Sequence, residues 1–402
     1  MFLNTNQIKK NSKKREIIFW GCSEDWIPKT KTLFPKVTKI IDINMKKIGS
    51  RYASLECFEP NNILNQKKKY FIVVTSGNTD SIEEVLKSKK WKPGKDYAFT
   101  PIFYDFKQSQ HFEKFKLNLI ISSADYPIKK NRQRSSRIGG GLFLMKIDST
   151  KYSFKKIING SIRQFYFSEK ENLIYAIEFV KCEILIINNK FKVIKRIPLD
   201  FNHLTGITVY KNSIIVTSSA RDMFIFVNKK TGEVEKTINF GKEYSKEGKH
   251  HINDCWLHKK ILYFSYFSKT GSWRKDIFDG GISILKLDNG KINEVVKNLY
   301  QPHTPTIINN TLHFFESTLG KFYTSTKSQP FNVNGFIRGL DYFDNNYVIG
   351  LSETLYMTRV KFLNHVLLNS GIYIYNEKSK LARFYPTLGI KGIHTLKLVK
   401  FR

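Results

Sequence analysis

The sequence predicts a mainly β protein: a six-bladed β-propeller closed by its C-terminal strand, after a small N-terminal α/β domain of Rossmann type. From Leu117 onward, short runs of β-branched and aromatic residues alternate with turns, and no helical period appears. These runs recur about every 35 to 55 residues, as expected for propeller blades. The predicted divisions are a flexible basic N-terminus over 1–15, the Rossmann-like domain over 16–112 and the propeller over 117–402.

The second strand of each blade is the clearest repeated element. Its six copies are predicted at 119–123, 173–178, 214–219, 261–267, 312–317 and 347–352. Five of them follow a predicted inner strand, at 163–167, 206–210, 254–258, 304–308 and 339–343. The sixth inner strand is found at 394–399, near the end of the chain. The last strand is therefore predicted to complete the first blade, which would leave no open sheet edge.

Composition restricts the function classes. The formal charge is +33, but the lysines are spread over the whole length without a nucleic-acid recognition motif, so nucleic acid is not an expected partner. The four cysteines show no close pairing, which fits a reducing cytoplasm. No apolar run approaches the roughly 18 residues that a membrane span needs. We therefore expect a cytoplasmic protein without a membrane span.

The first hundred residues predict three strands, at 16–21, 39–44 and 70–76, and a helix over 81–90. A glycine turn follows the first strand, an acidic residue lies near the end of the second, and small residues end the third. This spacing resembles the nucleotide-sugar-binding-like domains that precede bacterial sugar-modifying proteins. The resemblance implies nucleotide binding at Gly21, Asp42, Ser76 and Gly77. Because the three-glycine dinucleotide fingerprint is missing, a docking domain with an empty cleft stays open as the alternative.

Polar residues stand at the start of every predicted inner strand. They are Arg163, Thr205, Asn253, His303, Arg338 and His394, and near them lie His203, His250, His251 and Asp254. The second strands end on the same predicted face, with Glu178, Glu316 and Glu353. Three long connections, 124–139, 268–279 and 353–369, are expected to cover this mouth as lids, and the middle one carries Trp273 and Arg274.

Two arginines and several histidines facing one cavity favour a bound anion, such as a phosphate, sulfate or carboxylate on a sugar. The predicted acid and base residues are His251, Asp254, His303, Glu316 and Glu353. The predicted ligand-binding residues are Arg163, Glu178, His203, His250, Asn253, Trp273, Arg274, Arg338 and His394. A divalent metal held by His251, Asn253 and His303 is the competing hypothesis.

Two resemblances concern the propeller. The architecture is similar to that of six-bladed lactonases of the senescence-marker type, which hold a channel metal, although their motif is not matched. The stretch His250-His251-Ile252-Asn253-Asp254, with Ser272-Trp273-Arg274, Pro302-His303-Thr304-Pro305 and Phe336-Ile337-Arg338-Gly339-Leu340, resembles an uncharacterised bacterial family known only as a domain of unknown function. That resemblance implies the same fold and the same rim residues, but no established reaction.

The leading hypothesis is a sugar-handling protein that binds or transforms an anionic sugar or a sugar nucleotide at the propeller mouth. Surface-glycan or polysaccharide metabolism is its expected context. The first alternative is a metal-dependent hydrolase of the lactonase type. The second is a non-catalytic scaffold that binds proteins on the surface of the disc.

Overall fold

The computed structural model describes residues 2–103, 112, 115–128, 134–240, 249–353, 357–360 and 365–399. Residues 129–133, 354–356 and 361–364, which belong to two of the predicted lids, lie outside the described residues. The chain divides into two compact units, 1–114 and 115–402.

The N-terminal unit contains four α-helices and a six-stranded sheet among its described residues. In chain order its elements are α1 (Thr5–Ser12), β1 (Glu16–Trp20), α2 (Trp26–Leu33), β2 (Lys39–Ile41), β3 (Arg51–Tyr52), β4 (Leu55–Phe58), α3 (Pro60–Leu64), β5 (Tyr70–Val74), α4 (Thr79–Ser88) and β6 (Tyr97–Phe99). The strand order is β3-β4-β2-β1-β5-β6, and only the β3–β4 pair is antiparallel. Alternate residues of β1 and β5 enter two separate apolar clusters, so both faces of the sheet are buried.

The segment predicted as a flexible N-terminus over 1–15 contains a helix. Residues 5–12 form α1, which begins with a capping box in which the side chains of Asn4 and Gln7 each accept the other's backbone N–H. Ile8 is fully buried and packs with Phe19 and Phe34. Although the segment is basic, the buried side chain of Ile8 and the capping box stabilise this helix.

The second unit is built from short strands. In chain order they are β7 (Lys116–Ser123), β8 (Tyr126–Pro127), β9 (Ser135–Ser136), β10 (Gly141–Asp148), β11 (Lys151–Asn159), β12 (Ile162–Ser168), β13 (Leu173–Glu178), β14 (Glu183–Asn188), β15 (Val193–Pro198), β16 (Leu204–Tyr210), β17 (Ser213–Ser218), β18 (Met223–Asn228), β19 (Val234–Asn239), β20 (Ile252–His258), β21 (Ile261–Tyr266), β22 (Gly280–Lys286), β23 (Ile292–Leu299), β24 (Pro302–Ile308), β25 (Thr311–Glu316), β26 (Lys321–Tyr323), β27 (Phe331–Asn332), β28 (Phe336–Phe343), β29 (Asn346–Ser352), β30 (Gly371–Asn376), β31 (Ala382–Pro386) and β32 (Thr395–Leu398).

These strands form a six-bladed β-propeller. From the inner strand outward, the blades are β32-β7-β10-β11, β12-β13-β14-β15, β16-β17-β18-β19, β20-β21-β22-β23, β24-β25-β26-β27 and β28-β29-β30-β31. Each inner strand contacts the next around a ring, and β32 lies between β28 and β12. The first blade therefore joins the two ends of the unit, with Leu396 of β32 opposite Ile121 of β7.

Apolar clusters between neighbouring blades hold the disc together. Between the second and third blades, for example, Ile177 and Ile184 pack with Val216 and Ile225, all fully buried. Comparable clusters fill four further interfaces, and the burial of one such side chain contributes about 1.5–3 kcal/mol.

Removing the last strand should disrupt the whole propeller. A chain that ends at Ile393 loses β32, which exposes the inner edge of β7 and removes the contacts to β28 and β12. We expect the cooperative thermal transition of this unit to disappear, with aggregation on purification. A chain shortened only by residues 400–402 is the control and should melt like the full protein. Equal melting of both shortened chains, measured by circular dichroism, would show that β32 does not close the ring.

Candidate functional site

Repeated β-bulges shape one mouth of the channel. In four inner strands, two residues face a single residue of the second strand, for example Asn253 and Asp254 between the Ile252–Tyr266 and Cys255–Phe264 pairs. In β28 the extra residue is Gly339, with φ +77°. A bulge breaks the strict alternation of a strand, so successive polar residues can turn toward the same opening. The bulges therefore explain how this rim carries so many polar side chains.

Arg338 is at the centre of a buried hydrogen-bond network. Its Nη2 donates to Oδ1 of Asp254 at 2.9 Å, and its Nη1 donates to Nδ1 of His394 at 2.7 Å. Arg338 is 5% exposed and Asp254 is 1% exposed. The backbone N–H and the hydroxyl of Thr304 both donate to Oδ2 of Asp254. Both carboxylate oxygens of Asp254 thus accept hydrogen bonds, and the role of Asp254 is to position Arg338.

Two histidines are each fixed in one neutral tautomer. Nδ1–H of His303 donates to the carbonyl of Gln301, while its Nε2 accepts from Nδ2 of Asn253 at 3.0 Å. His394 accepts from Arg338 through Nδ1, so the proton of its neutral ring is on Nε2. Protonation of His303 would put an N–H at Nε2 opposite the amide N–H₂ of Asn253. Protonation of His394 would put an N–H at Nδ1 opposite the guanidinium of Arg338. These hydrogen bonds disfavour the acid or base role that was predicted for His303.

Aromatic rings surround the remaining cationic and imidazole groups. The guanidinium of Arg163 lies 4.2 Å from the ring centre of Phe179. His251 stands between Phe267 and Trp273, with ring centres at 4.4 and 4.5 Å, and its backbone has φ 55°. Its imidazole makes no hydrogen bond to the described residues, so among these histidines it is the one best able to exchange a proton with a ligand.

The charge at the mouth is positive. Arg163, Arg338 and Arg134 repel one another electrostatically, and each also acts on His251. Asp254 is the carboxylate that attracts the buried guanidinium groups of Arg163 and Arg338 most strongly. Arg134 was absent from the predicted site, although the basic run 129–134 in the first lid was a signal for it.

Burial and this positive field shift the pKa values of the rim. The pKa values of His251, His303 and His394 are lowered well below their usual value, first because burial disfavours the charged ring and then because arginines lie nearby. The pKa of His203 is lowered by burial and by Arg163. The pKa of Arg163 is lowered by burial and by the neighbouring arginines. All of these groups would be stabilised in their charged forms by a bound anion.

Stability should fall in mild acid because of these histidines. Their pKa values are lowered in the folded protein, so the unfolded chain binds more protons below its ordinary histidine pKa of about 6.5, and each group can contribute a slope of up to about 1.4 kcal/mol per pH unit. This stability is present above about pH 6.5 and is lost as the pH falls below that value. Asp125 and Asp222 have pKa values raised by burial, so their contributions have the opposite sign.

Urea unfolding between about pH 7.5 and pH 5.5 measures this effect. The free energy of unfolding should decrease with falling pH, and His251→Asn should reduce the slope by about one proton. A flat profile, or one that rises toward acid, would contradict the buried neutral histidines.

Ten predicted site residues meet at this mouth through the contacts and electrostatic interactions given above. They are Arg163, His203, His251, Asn253, Asp254, Trp273, Arg274, His303, Arg338 and His394. Arg274 is exposed and lies 5.5 Å from the ring centre of Trp273. The walls that the sequence analysis missed are Phe179, Phe267 and Phe336.

The three predicted glutamates have other partners. Glu178 accepts the backbone N–H groups of Ser161 and Lys181, and Glu353 forms an ion pair with Lys391. Glu316 accepts from the N–H of Tyr300 and the hydroxyl of Tyr323. Each carboxylate ties the end of a second strand to a neighbouring connection. The structure therefore shows no contact of Glu178, Glu316 or Glu353 with the arginines and histidines of the mouth among the described residues, and their catalytic and ligand-binding roles stay predictions.

His250 is also turned away from the rim. Its backbone N–H donates to Asp222, its ring nitrogen Nδ1 lies 2.9 Å from the carbonyl of Ser268, and its ring packs against Phe240. The left-handed backbone at His251 sends two adjacent imidazoles in different directions. Only His251 of this pair joins the site.

The structural role of Glu316 can be tested by Glu316→Gln. Glutamine removes the negative charge that strengthens both hydrogen bonds and the ion pair with Lys321, so we expect the free energy of unfolding to drop by about 1–3 kcal/mol. The affinity for any ligand of the mouth should not change, as measured by calorimetry on the folded variant. Loss of affinity with unchanged stability would instead return Glu316 to the site.

The predicted nucleotide residues follow the carboxyl ends of β1, β2 and β5. Gly21 packs so tightly that an added Cβ would lie 2.4 Å from Cβ of Ser76, whereas a Cβ on Gly77 would meet open space. Asp42 accepts the N–H groups of Cys22 at 2.7 Å and Asn44 at 2.9 Å. Burial alone would raise the pKa of Asp42, but these hydrogen bonds lower it below its usual value.

The residues proposed for a divalent metal do not fit one. Asn253 uses its amide nitrogen on His303, and its amide oxygen lies 3.4 Å from Nη2 of Arg338. A cation at His251 would face the electrostatic repulsion of Arg163 and Arg338. The part of the chain that the structure describes contains no group of three or more His, Cys, Asp or Glu arranged to hold a metal.

A family model matches part of the propeller. Residues 239–376, about a third of the chain, match the family model "Domain of unknown function (DUF4915)", and this stretch includes His251, His303 and Arg338. The resemblance to a family of unknown function is thus confirmed for this segment. No curated protein matches the chain.

Solved structures are similar at low sequence identity. A chain of a nidogen/laminin complex is 9% identical, with a TM-score of 0.50, over 71% of this chain and 98% of its own. Regucalcin from Agrobacterium tumefaciens, described as a calcium-binding protein, is 11% identical over 57% and 75%, with a TM-score of 0.41. A virginiamycin B lyase from Staphylococcus aureus is 15% identical over 61% and 78%, with a TM-score of 0.40. At such identities the likeness concerns the fold alone.

No helix among the described residues is long and apolar enough to cross a membrane.

Proposed function

We propose that this protein is a cytoplasmic sugar-handling protein that binds or transforms an anionic sugar or sugar nucleotide at the arginine-lined mouth of its propeller. Bacterial surface-glycan or polysaccharide metabolism is the proposed context, because the N-terminal spacing resembles domains of sugar-modifying proteins. The aromatic rings of Trp273 and Phe267 would stack on the sugar or base, as such rings commonly do in ligand sites.

The observation that carries this proposal is a pair of buried arginine Nε donors without acceptors among the described residues. They are the Nε atoms of Arg163 and Arg338. A buried guanidinium without an acceptor costs several kcal/mol, which a protein tolerates where a ligand supplies the acceptor. An anion would satisfy both donors and would relieve the mutual repulsion of the arginines.

In this account each rim residue has a distinct role. Arg163 and Arg338 hold the anion, Asp254 and Asn253 position Arg338, and His303 and His394 form the neutral wall. His251 would carry or accept a proton if a reaction takes place. The metal-dependent alternative is not retained, because its ligand set does not fit.

Calorimetry tests the proposal. Glucuronate, glucose 1-phosphate and UDP-glucose are titrated into the wild-type protein and into Arg163→Met. At least one of them should bind the wild type and lose its affinity by about tenfold or more in the variant, because a charge-assisted contact contributes about 1.5–3 kcal/mol. The control is Arg196→Met, since Arg196 pairs with Glu183 outside the rim and half of its side chain is exposed. The proposal would be overturned if every ligand bound the three proteins with equal affinity, or if no ligand bound the wild type.

For the N-terminal unit we propose a Rossmann-like domain that binds a related nucleotide. The support is its parallel sheet, in which the crevice between β1 and β5 lies where the strand order reverses. Because Gly77 faces open space, Gly77→Trp should fold and block that crevice. UMP should bind the Arg163→Met protein but not the Arg163→Met/Gly77→Trp double variant, in which the propeller mouth cannot contribute to binding. Binding of UMP that is unaffected by Gly77→Trp would contradict this assignment.

A further inference from the structure

We infer that the anion held at the propeller mouth is a doubly charged phosphate monoester rather than a singly charged carboxylate or sulfate ester. This inference rests on the proposed function and narrows its ligand class. It follows from two independent counts, one of charges and one of hydrogen-bond donors.

The charge count concerns the groups that interact electrostatically at the mouth. Three guanidinium groups, those of Arg134, Arg163 and Arg338, act on His251 together. His303 and His394 are held neutral by their hydrogen bonds, and Asp254 is the carboxylate with the strongest effect on Arg163 and Arg338. Two positive charges thus stay uncompensated. A carboxylate or sulfate ester neutralises one of them, whereas a phosphate monoester, whose second pKa is about 6, neutralises both at neutral pH.

The unpaired donors favour a phosphate monoester over a carboxylate, while the charge separates it from a sulfate ester. Arg338 already uses Nη1 on His394 and Nη2 on Asp254, so its Nε is the donor left over. No hydrogen bond joins the guanidinium of Arg163 to the described residues, and its Nε is buried. A phosphate monoester presents three strong acceptor oxygens, whereas a carboxylate presents two. The planar guanidinium fork also matches phosphate oxygens in pairs.

The aromatic walls explain why a bare ion is not the complete ligand. Phe179 lies below Arg163, and Phe267 and Trp273 enclose His251, so an apolar ring face stands beside the charged groups. Rings of this kind contact the flat face of a sugar or base. The ligand is therefore a small organic phosphate whose monoester group enters the arginine cluster.

The test compares matched anions on the intact protein. Glucose 1-phosphate, glucuronate and glucose 6-sulfate are titrated by calorimetry into the wild type, Arg134→Ala and Arg137→Ala. Arg137 is the control, because it is an exposed arginine of the same segment that is absent from the electrostatic interactions of the rim. Co-sedimentation with phosphatidylcholine vesicles containing phosphatidic acid distinguishes a lipid-borne monoester from a soluble one.

We expect a phosphate monoester, soluble or lipid-borne, to bind about tenfold or more tightly than either monoanion, because a second charge is neutralised at low dielectric. That preference should fall in Arg134→Ala and persist in Arg137→Ala. Near pH 5.5, where the monoester carries one charge, the preference should also fall. Equal affinity for the three anions, with Arg163→Met still weakening them all, would overturn this inference and leave the proposed function standing. Absence of binding by every anion and vesicle would overturn both.

Discussion

Arg163→Met is expected to make the protein more stable while lowering its affinity for anions by about tenfold or more. The side chain of Arg163 is 7% exposed and its Nε has no acceptor within the described residues. Methionine removes the cost of burying a charge and keeps contact with Phe179, although a cation–π interaction of about 1–2 kcal/mol is lost. Since burial of an uncompensated charge costs more than that contact returns, the free energy of unfolding should rise by about 1–3 kcal/mol.

Urea unfolding with a matched surface variant measures this effect. Arg196→Met, which removes an exposed ion pair with Glu183, should change the free energy of unfolding by less than about 1 kcal/mol. When a ligand-binding residue destabilises the free protein, its replacement is expected to raise the free energy of unfolding. If Arg163→Met is as destabilising as an ordinary core substitution, Arg163 is structural and no anion is needed to explain it.

Arg338→Met should have the opposite effect on stability. Arg338 lies 2.9 Å from Asp254, and both side chains are buried. Removing the cation leaves the carboxylate of Asp254 without a charge partner, so the free energy of unfolding should fall by about 3–5 kcal/mol. The same chemical change at two neighbouring rim positions thus gives effects of opposite sign.

A double variant tests the reason for that loss. Asp254→Asn removes the stranded charge while its side-chain oxygen can still accept from the N–H of Thr304. We expect the Asp254→Asn/Arg338→Met protein to recover most of the stability lost in Arg338→Met, as measured by urea unfolding. A double variant no more stable than Arg338→Met would show that packing, and not the unpaired charge, is responsible.

The sequence predicted the propeller well because its strands are short and bounded by turns. The predicted second strand at 173–178 coincides with β13, and the other predicted second strands differ from the observed ones by only a few residues. The rim followed from the same register, because the inner strands begin on one face. Arg163, His303 and Arg338 were found because polar residues interrupt otherwise apolar strands at equivalent positions.

What the sequence could not predict depends on contacts between distant segments. A glutamate at the end of a second strand has the same local pattern whether it faces a ligand or the N–H of a neighbouring connection, as Glu316 does. The different directions of His250 and His251 depend on a single left-handed residue. Arg134 lies in a lid without periodicity, so its approach to Arg163 is a tertiary feature. The helix over residues 5–12 packs against the sheet through one buried apolar residue, Ile8.

Each role assigned to the rim depends on an anion held between Arg163 and Arg338 at the mouth of the propeller. Crystals soaked in tungstate, a tetrahedral dianion with a strong anomalous signal, can show whether it is there. We expect one dominant anomalous peak between the two arginines, with tungstate oxygens within hydrogen-bonding distance of both Nε atoms, and no such peak in Arg163→Met. Peaks confined to surface lysines, with the arginine cluster unoccupied, would show that these arginines do not hold an anion.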